Sequence, residues 1–154
     1  MLQIEGSGTP LTDDMIREFE ANFDIKLPDD YVEFMKLHNG GYVRGNLVFD
    51  FIELGDTEPT GTVLRRFLSF SDEQNGLSRV RERIVDDEAP PSLLLIADDV
   101  FGNPIFIGVS GDDYGKVIFG NHELEDSETG YLVMSPISDS FSAFIDALYP
   151  YTDD

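Results

Sequence analysis

Cysteine and tryptophan are absent from the 154 residues. Without thiols the chain has no disulfide, no thiolate nucleophile and no Cys-ligated zinc, which fits a reducing compartment. Bases are scarce as well: 10 Lys and Arg stand against 31 Asp and Glu, a formal net charge of −21. Such a field repels nucleic acid and anionic membranes and attracts basic partners. The same surplus also serves solubility where no partner exists. From Val85 to Asp154 the single base is Lys116, so the chain predicts one nearly pure acidic side. No apolar run approaches the ~20 residues of a membrane span. MLQIEGSGTPLTDD has neither the basic nor the apolar segment of a signal peptide, and the expectation is a soluble, cytoplasmic protein.

What the chain does have is apolar periodicity and 12 Phe and 6 Tyr to build a core. Its length suits one domain, in which roughly 68–70% of the unfolded surface is buried. Residues 1–11 read as a flexible leader, with Gly6-Ser7-Gly8, ahead of a domain over 12–150. Thr12 is placed to cap a helix that runs to Asp24, its apolar stripe Ile16, Phe19 and Phe23. Leu27-Pro28 breaks the chain and Asp29-Asp30 open a second helix. Tyr31, Phe34, Met35 and His38 share one face of it, and Asn39-Gly40-Gly41 supply a left-handed cap.

Strand chemistry follows over Tyr42–Leu54, and less strongly over Val63–Phe70 after an acidic loop. Leu77, Val80 and Ile84 predict a short helix. Leu93–Ala97 reads as a strand covered on both faces, Asp98–Asn103 as a turn, and Ile105, Ile107 and Val109 as the next strand. A hairpin at Gly111–Gly115 leads to the strand Lys116–Phe119. Asn121–Gly130 reads as an acidic loop, Leu132–Ser135 as a strand, and Ser138 as the cap of a closing helix bearing Phe141, Phe144, Ile145 and Leu148. Strands cluster instead of alternating with helices. The fold class is therefore α+β: one domain whose mixed or mostly antiparallel central sheet is flanked by an N-terminal helix pair and a C-terminal helix.

Catalytic patterns are missing. His38 and His122 lie in no HExxH, and the chain contains no GxSxG, P-loop or GxGxxG. Asp98-Asp99 and Asp112-Asp113 fit turns better than chelates, because adjacent carboxylates on a strand point to opposite faces. Arg79, Arg81 and Arg83 are interrupted by Glu82 and belong to the solvent side of the short helix. No catalytic residue, cofactor or metal site is assigned. What remains is the acidic set Asp98, Asp99, Asp112, Asp113, Glu123, Glu125, Asp126 and Glu128, expected to meet a basic protein partner.

The central stretch closely resembles the SUKH superfamily, the Smi/Knr-like proteins. The resemblance runs from Phe19-Glu20 through Ile25, Leu27-Pro28, Tyr31 and Phe34-Met35 to Asn39-Gly40-Gly41. Leu95-Ile96-Ala97-Asp98 with Gly102-Asn103, Gly115–Phe119 with His122-Glu123, and Ser140-Phe141 with Phe144-Ile145 continue it across nearly the whole chain. Thr57–Arg83 departs from the pattern. The resemblance implies an α+β fold and a non-enzymatic immunity protein that binds and blocks a cognate polymorphic toxin, a basic nuclease among the candidates, in competition between bacteria. The alternative is a regulatory or scaffold module without a toxin partner, as in the fungal branch. Under either reading Leu27, Pro28, Tyr31, Asn39, Gly40 and Gly41 are implied to be structural, and oligomeric state is left open.

Overall fold

The computed structural model describes residues 2–53, 55–70 and 89–152. Within them α1 (Asp13–Phe23) begins where the Thr12 hydroxyl accepts from the Met15 N–H, satisfying one free donor of the first turn. It buries Ile16 and Phe19 and stops at Asp24, which takes the left-handed conformation (φ 51°). The Glu20 carboxylate then accepts from the Leu27 N–H (2.7 Å), fixing the short link to α2 (Asp29–Leu37).

The end of α2 differs from the sequence expectation. His38 is already extended and Asn39 is no left-handed cap; the positive φ values fall on Gly40 and Gly41. Asn39 is instead buried, with Nδ2 donating to Thr9 O (2.8 Å) and Phe70 O (3.1 Å) while Oδ1 accepts from Phe70 N–H (2.8 Å). Gly40 is required as glycine: a Cβ there would lie 2.7 Å from Ser69 N. The opening residues are tied to this junction. β1 (Ile4–Glu5) pairs with β2 (Gly41–Val43), Ser7 Oγ donates to Gly40 O, and Leu11 is buried.

The sheet then builds from β3 (Leu47–Phe51), β4 (Thr60–Phe67), β5 (Leu93–Asp99), β6 (Pro104–Gly108), β7 (Val117–Glu125) and β8 (Leu132–Ser138). Helix α3 (Phe141–Asp146) and β9 (Tyr149–Pro150) follow. Strand order is β1-β2-β4-β5-β6-β7-β8, with β3 joined to β4 and β9, and every strand pairing is antiparallel. The described residues thus form the expected α+β arrangement of one antiparallel sheet with two N-terminal helices and one C-terminal helix.

Register lines Phe67, Ala97, Ile105, Phe119 and Ser135 across one face of the sheet. Phe34 and Phe141 pack on Phe67 at one end of that row, and Tyr31 meets Phe141 edge-on. At the other end the β3–β4 hairpin leans over, so that Phe51 stacks on Phe119 with ring centroids 4.0 Å apart. Phe49 bridges Phe119 to Phe144 of α3. Aromatic pairs of this kind add about 0.5–1.5 kcal/mol each beyond their area burial.

Several boundaries move. The strand expected over Tyr42–Leu54 divides into β2 and β3 at Gly45-Asn46, both with positive φ. β4 begins at Thr60, inside the expected loop, because β3 pairs with it from Phe51↔Thr60 onward. Asp98 and Asp99 belong to β5, not to a turn. β7 runs on to Glu125 through ladder pairs such as Asn121↔Val133, so the first part of the expected acidic loop is strand. Ser138 ends β8, and Ser140 caps α3 by accepting from Ala143 N–H (3.1 Å). The helix expected around Leu77, Val80 and Ile84, with its arginines, lies outside the described residues.

Candidate docking surface

Asp99 organises the turn that follows β5. It is fully buried, yet its carboxylate is satisfied four times. Oδ1 accepts from the N–H groups of Phe101 (2.9 Å) and Asn103 (2.8 Å). Oδ2 accepts from the Thr62 hydroxyl (2.8 Å) and Asn103 Nδ2 (2.9 Å). Such bonding is what lets a carboxylate be buried. Its local effect is to pin both arms of the turn after β5, which Gly102 closes with φ 87°. The turn holds Phe101 out into solvent, 72% exposed, beside the half-exposed Val100.

Two clefts adjoin Phe101. The first, about 400 Å³, has Phe51, Phe119 and Asp99 among its lining and Glu53, Asn121, His122 and Glu123 as its polar groups. Asn121 Nδ2 donates to Glu53 (2.6 Å), and the His122 ring contacts the Asn103 side-chain oxygen. The second, about 430 Å³, is lined by Val48, Val63, Val100, Tyr149 and Tyr151. Here Tyr149 OH donates to Asp50 (2.6 Å), and that bond to a carboxylate holds the phenol above its ordinary pKa. The clefts share Gly61, Thr62 and Phe101.

Among the described residues, no lysine or arginine lines either cleft. Each basic residue among the described ones is already committed elsewhere: Arg17 to Asp14, Lys26 to Asp29, Lys36 to Asp13, Arg44 to Glu5, Arg65 and Arg66 to Asp98, and Lys116 to Asp113. Among the described residues, Glu53 and Glu123 therefore face the first cleft without a lysine or arginine in its lining, and the His122 ring lies 3.9 Å from Glu123.

The acidic residues singled out from sequence do not form one patch. Asp99 is the buried pin. Asp98 points to the other face of the sheet, where Arg66 (3.1 Å) and Arg65 (3.6 Å) pair with it. Burial raises its carboxyl pKa, and the two arginines pull it back only in part. Asp112 and Asp113 lie in a 3-10 turn beyond the opposite end of β6. Glu123 lines the first cleft, Glu125 continues along β7, and Asp126 and Glu128 sit in the β7–β8 turn, where Asp126 Oδ1 accepts from Glu128 N–H. The sequence reading missed Phe101, Val100, Glu53 and Tyr149. A signal for the first two was present: two large apolar residues inside the turn sequence Asp-Asp-Val-Phe-Gly-Asn.

Among the described residues, no group of three His, Cys, Asp or Glu is arranged to hold a metal ion, and no helix is long and apolar enough to cross a membrane. Among the described residues, the Ser or Thr hydroxyls lining the first cleft are those of Thr60 and Thr62, and Thr62 donates its hydrogen bond to Asp99. The geometry describes a small α+β domain presenting an aromatic knob between an acidic and an apolar cleft.

A family model for the SMI1 / KNR4 family (SUKH-1) matches residues 10–147, and the chain belongs to that family. It is also similar to the SPbeta prophage-derived uncharacterized protein YokK of Bacillus subtilis (strain 168). Identity is 27% over 150 residues, covering 89% of this chain and 74% of the relative.

Proposed function

We propose that this chain is a non-enzymatic, cytoplasmic immunity protein that binds and neutralises a cognate basic toxin in competition between bacteria. Family membership carries the reading, since the resemblance to Smi/Knr-like proteins implies binding and blocking of toxins. Surface chemistry supports it: an exposed aromatic side chain beside carboxylates that have no lysine or arginine beside them among the described residues suits a cationic protein partner. A toxin that acts on nucleic acid must carry a basic surface to approach phosphate, and an acidic inhibitor covers that surface. The partner-binding role expected of Glu123, Glu125, Asp126 and Glu128 stays within this proposal. Asp99 leaves it, because its carboxylate has no free position for a partner.

Co-expression with the product of an adjacent toxin gene tests the proposal. Restored growth, together with a purified complex that weakens as salt rises, is the expected result. No complex and no rescue would discard neutralisation. Binding to cell-envelope signalling proteins instead would favour the scaffold alternative.

A further inference from the structure

The two clefts lie on opposite faces of one ribbon. In the β3–β4 register Phe51 pairs with Thr60 and Phe49 with Thr62, and both Phe rings reach inward to Phe119; Phe51, Thr60 and Thr62 of this set line the acidic cleft. Val48 pairs with Val63 on the alternate face, towards the apolar cleft and Tyr149. Strand periodicity explains the division, because successive side chains point to opposite faces.

The ribbon also has an open edge. β3 covers one side of β4 from Thr60 to Val63, whereas β5 begins pairing with β4 only at Leu64↔Asp99. One more rung follows, Val100 N–H to Val63 O (3.0 Å), before the Gly102 turn carries the chain away. Thr60, Gly61 and Thr62 thus have no strand on their outer side among the described residues, and Phe101 stands beside that gap.

From this geometry we infer that the outer edge of β4 at Thr60–Thr62 receives an extended segment of a basic partner protein, which adds to the sheet next to Phe101. Val63 O already faces that outer side, so by antiparallel alternation Gly61 supplies the N–H and C=O that an added segment bonds, and its alternate side chains give specificity. One set of its side chains enters the acidic cleft, where Glu53 and Glu123 select lysine or arginine. The other set enters the apolar cleft against Val48, Val63 and Val100. The segment recognised is therefore one in which basic and apolar residues alternate. This deepens the neutralisation reading by naming where and in what form the toxin docks. A second copy of this chain is a poor occupant, since each copy carries a net charge of −21.

The full chain, labelled with 15N, is titrated with two peptides of one composition, acetyl-Lys-Phe-Lys-Phe-Lys-Phe-amide and acetyl-Lys-Lys-Lys-Phe-Phe-Phe-amide. Amide shifts centred on Gly61, Thr62, Phe101 and Glu123, with the alternating peptide at least about fivefold tighter, support the edge. The surface substitutions Phe101→Ala and Glu53→Gln with Glu123→Gln should each weaken it by about fivefold or more. Equal affinity for both peptides, or shifts centred on Asp112 and Asp139, would overturn the inference. So would a concentration-dependent dimer that buries the edge. The growth test separates the two levels: full rescue by the triple variant removes the docking edge and leaves neutralisation standing. Absence of rescue by the wild-type chain removes neutralisation, and the peptide titration still decides the edge.

Discussion

Tyr31 is the largest polar side chain of the core, fully buried, and its hydroxyl has no hydrogen-bond partner among the described residues. Burial drives its pKa far above the ordinary phenol range. The ring is held by Phe141, so Tyr31→Phe keeps the packing and removes a desolvated hydroxyl. The expected gain is about 1 kcal/mol in a urea or guanidinium unfolding curve, and a loss of similar size would show that the hydroxyl has a role. Asp98 has a related problem, with Oδ1 buried and unpartnered while Oδ2 takes the arginines. Its pKa is raised above the ordinary carboxylate value of 3.8, so the folded state holds this proton more tightly than the unfolded state. Stability from this group therefore falls as pH climbs through the window above 3.8, and the loss is complete above the raised pKa. Asn does not titrate. Whatever the fixed effect of Asp98→Asn, its stability relative to wild type should improve between about pH 4 and pH 7. Thermal unfolding at a series of pH values checks this, and a difference that moves the opposite way rejects it.

Among the elements, the junction between α2 and β2 depends on Asn39. Its three hydrogen bonds join the segment before α1, the end of α2 and the exit of β4. Asn39→Ala leaves the buried backbone N–H and C=O of Phe70 without these partners, and frees the more exposed Thr9 C=O, and should cost about 1–3 kcal/mol in denaturant unfolding. A cost below about 0.5 kcal/mol would mean that the junction holds without it. Sequence spacing pointed to Asn39 because local chemistry marks it as a turn residue, but its actual partners lie 30 and 31 residues away, beyond any periodic pattern. The same contrast runs through the fold. Both N-terminal helices were legible, since Thr12, Pro28 and the Phe stripes act within one turn. The length of β7 was not: Glu123, Leu124 and Glu125 are exposed polar-rich strand positions, specified by β8 and not by their own burial pattern. The docking surface was legible only in part. Acidity could be read from composition, whereas the open edge of β4 arises because the chain turns away at Gly102 just after the Val100–Val63 rung, a long-range pairing limit that no local signal records.

For the whole molecule, charge is the dominant long-range quantity. With every lysine and arginine among the described residues already paired, the remaining carboxylates of the −21 surplus repel one another across the surface. Salt screens that repulsion over roughly 10 Å at 0.1 M. Raising NaCl from about 0.02 to 0.3 M should lift the melting temperature by a few degrees, as followed by calorimetry; a fall would mean that the ion pairs outweigh the repulsion. Against the proposed cationic partner the same surplus would accelerate encounter, with aromatic and apolar contacts left to hold the complex. The arrangement of the Phe101 turn has one further consequence. Asp99 and Asn103 fix its two ends from inside, through bonds that use no side-chain atom of residues 100 and 101. They form an interchangeable tip on a fixed mount. Recognition can be rewritten there, by selection or by a designer, with the scaffold's stability left intact.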